Sequence, residues 1–255
     1  MRFQFLLFFI FTNIIFSQNE LYLVNINTLK KDKEKKIVAI DKLGNEYSIN
    51  ENEISKNDNL FFSDFSLGNI SSIDLYNPLK IKVWYGNYNT LIILDNFLNE
   101  ITRVNFGYSN EISHVSTSNE NSVWTFDQLS MKIRKFDYIN KTYAEGIELL
   151  LNENVIDIKS NYNFLWILTD NYFYMINYNG SIIYKSENKQ FKKISLYKND
   201  ILLSNSNSII YFNINDLEFK KINSEKLFLK DFFVINETLY IYDEDFINKY
   251  LILIK

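Results

Sequence analysis

The sequence predicts an all-β fold built from a repeated unit of four short strands. Ile, Val, Tyr and Phe are abundant, whereas Gly (6) and Pro (1) are scarce. No stretch shows a sustained 3.6-residue apolar period, and short apolar runs separated by Asn, Asp and Ser are typical of strands and turns. The third observation is that these runs recur about every 40 residues, which indicates an internal repeat.

The repeat is clearest in five short apolar runs, each followed by a polar turn. Their central residues recur after 40, 42, 37 and 37 residues and are Trp84, Trp124, Trp166, Leu203 and Tyr240. Equivalent positions of a repeat usually have the same structural role. We therefore predict these five side chains as the core packed between units rather than as ligand-stacking residues.

Each of these runs has apolar neighbours that complete a four-stranded unit. Apolar segments precede the runs at 70–76, 112–118, 155–160, 192–197 and 230–235. The strand after each run follows at 91–95, 132–137, 172–177, 208–213 and 246–250, and four of these strands end in Asp95, Asp137, Asn177 and Asn213. A turn and a further strand come next. Four antiparallel strands at this period are typical of a β-propeller blade.

The length predicts about six blades, with five or seven as alternatives. Residues 36–49 resemble the last hairpin of one more blade, and residues 59–66 a strand of the following unit. The chain would end inside a third strand at 251–254, so we expect the N-terminal strand to pair with the last blade and close the ring. A pair of β-sandwiches or a β-solenoid would explain the period less well.

The N-terminus has the layout of a secretory signal peptide. Arg2 precedes an apolar run from Phe5 to Phe16, and Ser17-Gln18 follows. The run is shorter than the roughly 20 residues of a membrane span. We therefore expect a signal peptide at 1–17 and a β-propeller domain at 18–255, exported to the periplasm or the periplasmic face of the outer membrane. No integral membrane span is expected after cleavage.

Composition excludes several function classes. A net charge of -4 and a pI near 5.2 argue against a nucleic-acid partner. The chain has no Cys and one His, so thiolate nucleophiles, Cys-ligated metals and most imidazole metal sites are excluded. We expect no cofactor and no metal. The single His, His114, is predicted to be a packed or channel-lining residue, and residues 243–245 a solvated turn rather than a calcium site.

A hydrolase would need two nearby carboxylates. Asp74, Asp157 and Asp231 each lie in or at the entry of a first strand, a position that faces the channel in many propellers. Nothing in the sequence singles out a pair of them.

The turns between second and third strands should gather at one end of the ring, beside the connections between blades. This predicts a polar, amide-rich binding rim. Its predicted binding residues are Asn87, Tyr88, Asp127, Gln128, Asp170, Asn205, Asn207, Asp243 and Glu244.

The run NPLKIKVWYGNYNTLIILDNFLNEI at 77–101 resembles exported β-propeller proteins of Bacteroidota, and the segment from Val155 to Gly180 is similar to the same group. The shared motifs are structural, not catalytic. The resemblance implies a role like that of the plug-type subunit at the outer-membrane translocon of type IX secretion.

The function expected from the sequence is a non-catalytic, exported interaction module. Its partner would be a protein, with an outer-membrane channel as one candidate, and the chain alone would be a monomer. Two alternatives stay open: a secreted glycan-active hydrolase or lyase that uses channel-facing carboxylates, and a sensor propeller for a small ligand or glycan.

Overall fold

The computed structural model describes residues 21–30, 36–41, 43–223, 229, 231–235, 237–242 and 246–254. The predicted signal peptide lies outside these residues. The 24 strands in the described part of the chain form six four-stranded blades. The first strands of five consecutive blades contact one another in turn around the centre of the ring, and the first strand of the remaining blade is joined to one of them by the hydrogen bond from Thr117 N–H to Asp74. The predicted β-propeller is confirmed.

Blades are numbered in chain order, and in each the first strand is innermost. Blade 1 contains β2 (Lys36–Ile40), β3 (Glu46–Asn50), β4 (Glu53–Lys56) and β5 (Leu60–Ser63). Blade 2 contains β6 (Ser72–Asp74), β7 (Ile81–Tyr85), β8 (Thr90–Leu94) and β9 (Glu100–Asn105). Blade 3 contains β10 (Ile112–Thr117), β11 (Ser122–Asp127), β12 (Lys132–Asp137) and β13 (Thr142–Leu150).

The second half of the ring repeats this order. Blade 4 contains β14 (Val155–Ser160), β15 (Phe164–Thr169), β16 (Tyr172–Asn177) and β17 (Ile182–Glu187). Blade 5 contains β18 (Lys193–Tyr197), β19 (Asp200–Ser204), β20 (Ile209–Asn213) and β21 (Glu218–Asn223). Blade 6 contains β22 (Asp231–Ile235), β23 (Thr238–Tyr242) and β24 (Phe246–Ile254), and is completed by β1 (Leu21–Lys30).

The N-terminal strand closes the ring, as the sequence predicted. β1 pairs antiparallel with β24 along its whole length, from Leu21 opposite Ile254 to Lys30 opposite Phe246. Residues 251–254 do not begin a further strand. They continue β24, because the fourth strand of blade 6 comes from the other end of the chain.

Two other details of the sequence prediction were wrong. The hairpin at 36–49 is the first hairpin of blade 1 rather than the last of another blade, and residues 60–63 form the outer strand of that same blade. The error has a physical cause. Asp41 accepts the N–H groups of Leu43 and Asn45 at 2.8 and 2.9 Å, and Asp95 binds the turn after β8 in the same way. The first and the last turn of a blade can therefore show the same sequence feature, an Asp whose side chain binds the turn, and this feature does not tell the two turns apart.

Apolar clusters fill the spaces between blades. Trp84 packs between blades 2 and 3, Trp124 between blades 3 and 4, and Trp166 between blades 4 and 5, each 2% exposed or less. Tyr240 is half-buried and stacks on Phe233 with ring centroids 4.7 Å apart.

In blade 5 the residue equivalent to the three Trp side chains is Leu202, one position before the predicted Leu203. Trp166 lies opposite Lys159 of the first strand, and the matching pair in blade 5 is Ser195 with Leu202. Leu203 is buried but faces blade 4 instead. Both faces of β19 are covered, so Ile201, Leu202 and Leu203 are all buried. The sequence therefore shows no alternation that could fix the register.

Candidate functional site

The turns between second and third strands lie at one end of the ring, against the connections between blades. The Asn89 side chain donates to the carbonyls of Gly107 and Asn110 at 3.1 and 2.7 Å, which ties the turn of blade 2 to the next connection. The N–H of Asn188 donates to Asn171 O at 2.7 Å, which does the same for blade 4. We call this end of the ring the rim face.

Most of the described residues predicted for binding are exposed on the rim face. Asn205 is half-buried, and its Oδ1 accepts the N–H groups of Asn207 and Ser208. Asp243 and Glu244 lie outside the described residues. The exposed residues are Asn87, Tyr88, Gln128, Asp170 and Asn207.

Asp127 is different, because it is buried and supports the turn instead of facing solvent. Its carboxylate accepts the N–H groups of Glu111 and Leu129, the Ser130 hydroxyl and the Arg134 guanidinium. Burial alone would raise the pKa of Asp127, but these hydrogen bonds and the Arg134 charge outweigh burial and hold it below its usual value. Its carboxylate oxygens are already used within the turn.

The turn of blade 2 presents Tyr88 to solvent. A short 3-10 turn (Gly86–Tyr88) follows β7, and Asn89 ends it in the left-handed region with φ 46°. Asn tolerates this conformation, and its side-chain oxygen also accepts the N–H of Ile112 at 3.0 Å. The Tyr88 ring lies against Gly68, where an added Cβ would meet its Cε2 at 3.6 Å.

Four large apolar side chains project from successive connections and turns of the rim face, between the end of blade 1 and the turn between the second and third strands of blade 3. The exposed fractions are 86% for Phe65, 51% for Tyr88, 104% for Tyr108 and 63% for Leu129. Three contacts join these connections into one surface. They link Tyr88 with Gly68, Asn89 with the 107–110 segment, and Glu111 with Gln128. We call these four residues the apolar sector. Only Tyr88 was predicted from the sequence.

The rim face of blades 4 and 5 has a different composition. Its exposed residues are polar or charged, as at Asp170, Asn171, Lys189, Gln190 and Asn207. Its connection is held from within by Asn188, whose side chain donates to the carbonyls of Thr169 and Phe191. We call this part the polar sector.

Charged side chains of the first strands of blades 4, 5 and 6 lie close together at the central channel. Lys193 of blade 5 forms an ion pair with Asp231 of blade 6, and Asp157 of blade 4 accepts the N–H of Ile194 at 2.8 Å. Burial lowers the pKa of Lys193, and the charge of Asp231 opposes this effect.

His114 also bridges two blades at this level. Its Nε2 faces the carbonyl oxygen of Ile156 at 3.4 Å and its Nδ1 faces the Ser113 hydroxyl at 2.9 Å. A carbonyl only accepts, so the proton is on Nε2 and the Ser113 hydroxyl donates to Nδ1. Burial lowers the pKa of His114. The ring is therefore a neutral, packed residue beside the channel at neutral pH.

The three candidate carboxylates are not brought together as a free pair. Asp74 accepts the N–H of Thr117 in blade 3 at 2.7 Å and the N–H of Tyr76 at 2.9 Å. Each of the three carboxylates thus links its own blade to a neighbouring one. Among the described residues, no three His, Asp or Glu side chains form a group that could hold a metal ion. The described strands and turns also include no helix long and apolar enough to cross a membrane.

Comparison with known proteins identifies the fold. No family model and no curated protein matches the sequence. The structure is similar to the WD40 domain of Neurospora crassa Pan2, with a TM-score of 0.61 and 10% identity over 85% of this chain and 74% of that one. Virginiamycin B lyase from Staphylococcus aureus gives a TM-score of 0.61 and 12% identity over 92% and 95% of the two chains. A streptogramin B lyase gives 0.57 and 13% over 91% and 98%. Identities this low show a shared fold alone, so the chain is a β-propeller resembling both WD40 and lyase propellers.

Proposed function

We propose that this chain is a non-catalytic propeller that binds a protein partner through the apolar sector of its rim face. The observation that carries this proposal is the cluster of Phe65, Tyr88, Tyr108 and Leu129, four exposed apolar side chains on adjoining connections. Contiguous exposed apolar surface is a feature of interaction sites, and aromatic residues contribute strongly to binding energy there.

The charged groups of the channel support a structural role rather than catalysis. Asp74 and Asp157 each accept a backbone N–H from the next blade, and Asp231 is paired with Lys193. A glycosidase needs one carboxyl group kept as an acid and a second free as a base or nucleophile. Carboxylates occupied in this way serve better to join blades than to act on a substrate.

We further propose that the protein acts outside the cytoplasm, in the periplasm or at the outer membrane of a bacterium of the Bacteroidota type. The signal-like N-terminus and the resemblance of residues 77–101 to exported propellers support this location. An outer-membrane secretion channel is the partner that this resemblance favours.

A pull-down from detergent-solubilised envelope tests the proposal. Tagged wild-type protein should retain a stoichiometric partner, and Tyr108→Ser should lose it. Tyr178→Ser is the matched control, because Tyr178 is also exposed (55%) but lies in the turn between β16 and β17, outside the apolar sector. Equal capture by both variants, or recovery of the chain alone at native expression, would contradict the proposal.

A further inference from the structure

Two surface clefts lie between the outer strands of neighbouring blades. The cleft between blades 2 and 3 has a volume of about 530 Å³ and is lined by Val104, Asn105, Phe106, Phe136, Lys141 and Tyr143 among others. The cleft between blades 4 and 5 has a volume of about 620 Å³ and includes Tyr184, Ser186, Glu187, Lys189 and Phe219. Both volumes are in the range of ligand-binding sites.

The two clefts are equivalent positions of the repeat. In the first, Phe136 contacts both Phe106 and Tyr143, with ring centroids 4.9 Å apart in each pair. In the second, Phe212 contacts Tyr184 at 5.1 Å and Phe219 at 4.9 Å. The first cleft therefore has a floor of three aromatic rings, whereas the second is lined by Tyr184 and Phe219, with Phe212 buried beneath them.

A third boundary between blades shows that the outer strands of neighbouring blades can pair directly. Between blades 5 and 6, the beginning of β1 pairs in parallel with the end of β21, with Leu21 opposite Ile222 and Tyr22 opposite Asn223. The corresponding strands of blades 2 and 3 are the end of β9 and the beginning of β13. Among the described strands these two belong to separate sheets. The outer edge of β9 is therefore open, and an open edge is a template for an added strand.

The charges of the two clefts differ. Arg103 and Lys141 line the first cleft, and no carboxylate is among its lining residues. The Arg103 guanidinium forms ion pairs with Asp64 and Glu100. The Arg134 guanidinium, which lies 3.9 Å from the centre of the Tyr143 ring, is paired with Asp127. Among the described residues, Lys141 is therefore the cation that this cleft presents to a ligand. In the second cleft Glu187 accompanies Lys189. Charge complementarity therefore favours an acidic segment in the first cleft.

We propose that the cleft between blades 2 and 3 binds an extended acidic peptide segment, which adds as a strand along the outer edge of β9. Backbone hydrogen bonds to β9 would supply affinity. The aromatic floor would accept an apolar side chain of the peptide, and Lys141 an acidic one. The proposal does not depend on the apolar sector, because the peptide alone should bind.

The test uses three fluorescein-labelled peptides and fluorescence anisotropy on the wild-type protein. The first has the sequence Glu-Val-Tyr-Val-Glu, the second is the same peptide N-methylated at alternate amides, and the third carries Lys in place of Glu. The first should bind with a Kd below about 1 mM. The N-methylated and Lys peptides should each bind at least about tenfold more weakly, because they lose backbone pairing or charge complementarity.

Two variants locate the site. Lys141→Glu should raise the Kd of the acidic peptide by about fivefold or more. Lys189→Glu in the equivalent cleft should leave this Kd within about twofold of the wild-type value. Both side chains are exposed, so unchanged thermal unfolding serves as the folding control. Failure of the first peptide to bind, equal binding of the N-methylated peptide, or binding of cellohexaose in place of peptide would overturn the proposal.

Discussion

The apolar and polar sectors of the rim face use the same framework but expose different side chains. In both, an Asn side chain holds a connection between blades: Asn89 bonds to the 107–110 segment, and Asn188 bonds to Thr169 and Phe191. The apolar sector exposes aromatic rings, whereas the polar sector exposes amides and charges. The difference shows that the turn framework specifies the fold, and that a few outward-facing side chains distinguish one part of the rim from another.

The largest expected effect is on partner binding. Phe65→Ser combined with Tyr108→Ser should lower the affinity for the captured partner at least about 100-fold, since central aromatic residues of an interface can each contribute about 2 kcal/mol or more. The free energy of unfolding should change by less than about 0.5 kcal/mol, because both side chains are exposed. The measurement is partner affinity by biolayer interferometry, with urea unfolding as the stability check.

The matched control carries Asn171→Ser and Asn207→Ser in the polar sector. It should keep wild-type affinity. If this pair of changes weakens binding as much as the aromatic pair, the contrast between the two sectors has no functional meaning.

The second effect is on stability. Asp127→Ala should lower the free energy of unfolding by about 2–3 kcal/mol, because it leaves buried N–H donors and the Arg134 guanidinium without their acceptor. Asp170→Ala in the polar sector should cost less than about 0.5 kcal/mol, because Asp170 is exposed. Urea unfolding of both variants measures the difference. Equal losses would mean that Asp127 does not stabilise its turn as described.

The smallest expected effect is the pH dependence of that stabilisation. The pKa of Asp127 is lowered in the folded protein, so its charged form favours folding. Its contribution should be complete above the unfolded value of about 3.9 and should be lost as the pH falls through the lower folded value. Asp127→Asn should therefore differ from wild type in its free energy of unfolding at pH 6, and the difference should shrink progressively as the pH falls below about 3.9. A difference that stays constant over this range would contradict the assignment.

The repeat could be predicted from the sequence because the signal is local. In blades 2 to 5 an Asp or Asn at the end of the third strand binds the following turn, as Asp137 and Asn177 do, and each of these blades adds the same pattern. Position within a blade was harder to predict. Asp41 and Asp95 make the same turn at different ends of a blade, and β19 is buried on both faces.

The apolar sector could not be predicted, because neighbouring apolar residues of one loop have opposite environments. Phe65 is 86% exposed and Leu67 is 8% exposed, although only Ser66 lies between them. Phe106 packs against Trp84 and Phe136, whereas Tyr108 in the same connection is in solvent. Only the packing of whole blades decides which of the two side chains turns inward. The burial of Asp127 was missed for the same reason.

Photocrosslinking in living cells tests the central claim most directly. A benzophenone amino acid would replace Tyr108 in the apolar sector, Asn207 in the polar sector or Tyr178 in the turn between β16 and β17. The account predicts a crosslink to one envelope protein from position 108 and none from positions 207 and 178. A crosslink to that protein from position 207 or 178 and not from position 108 would contradict it.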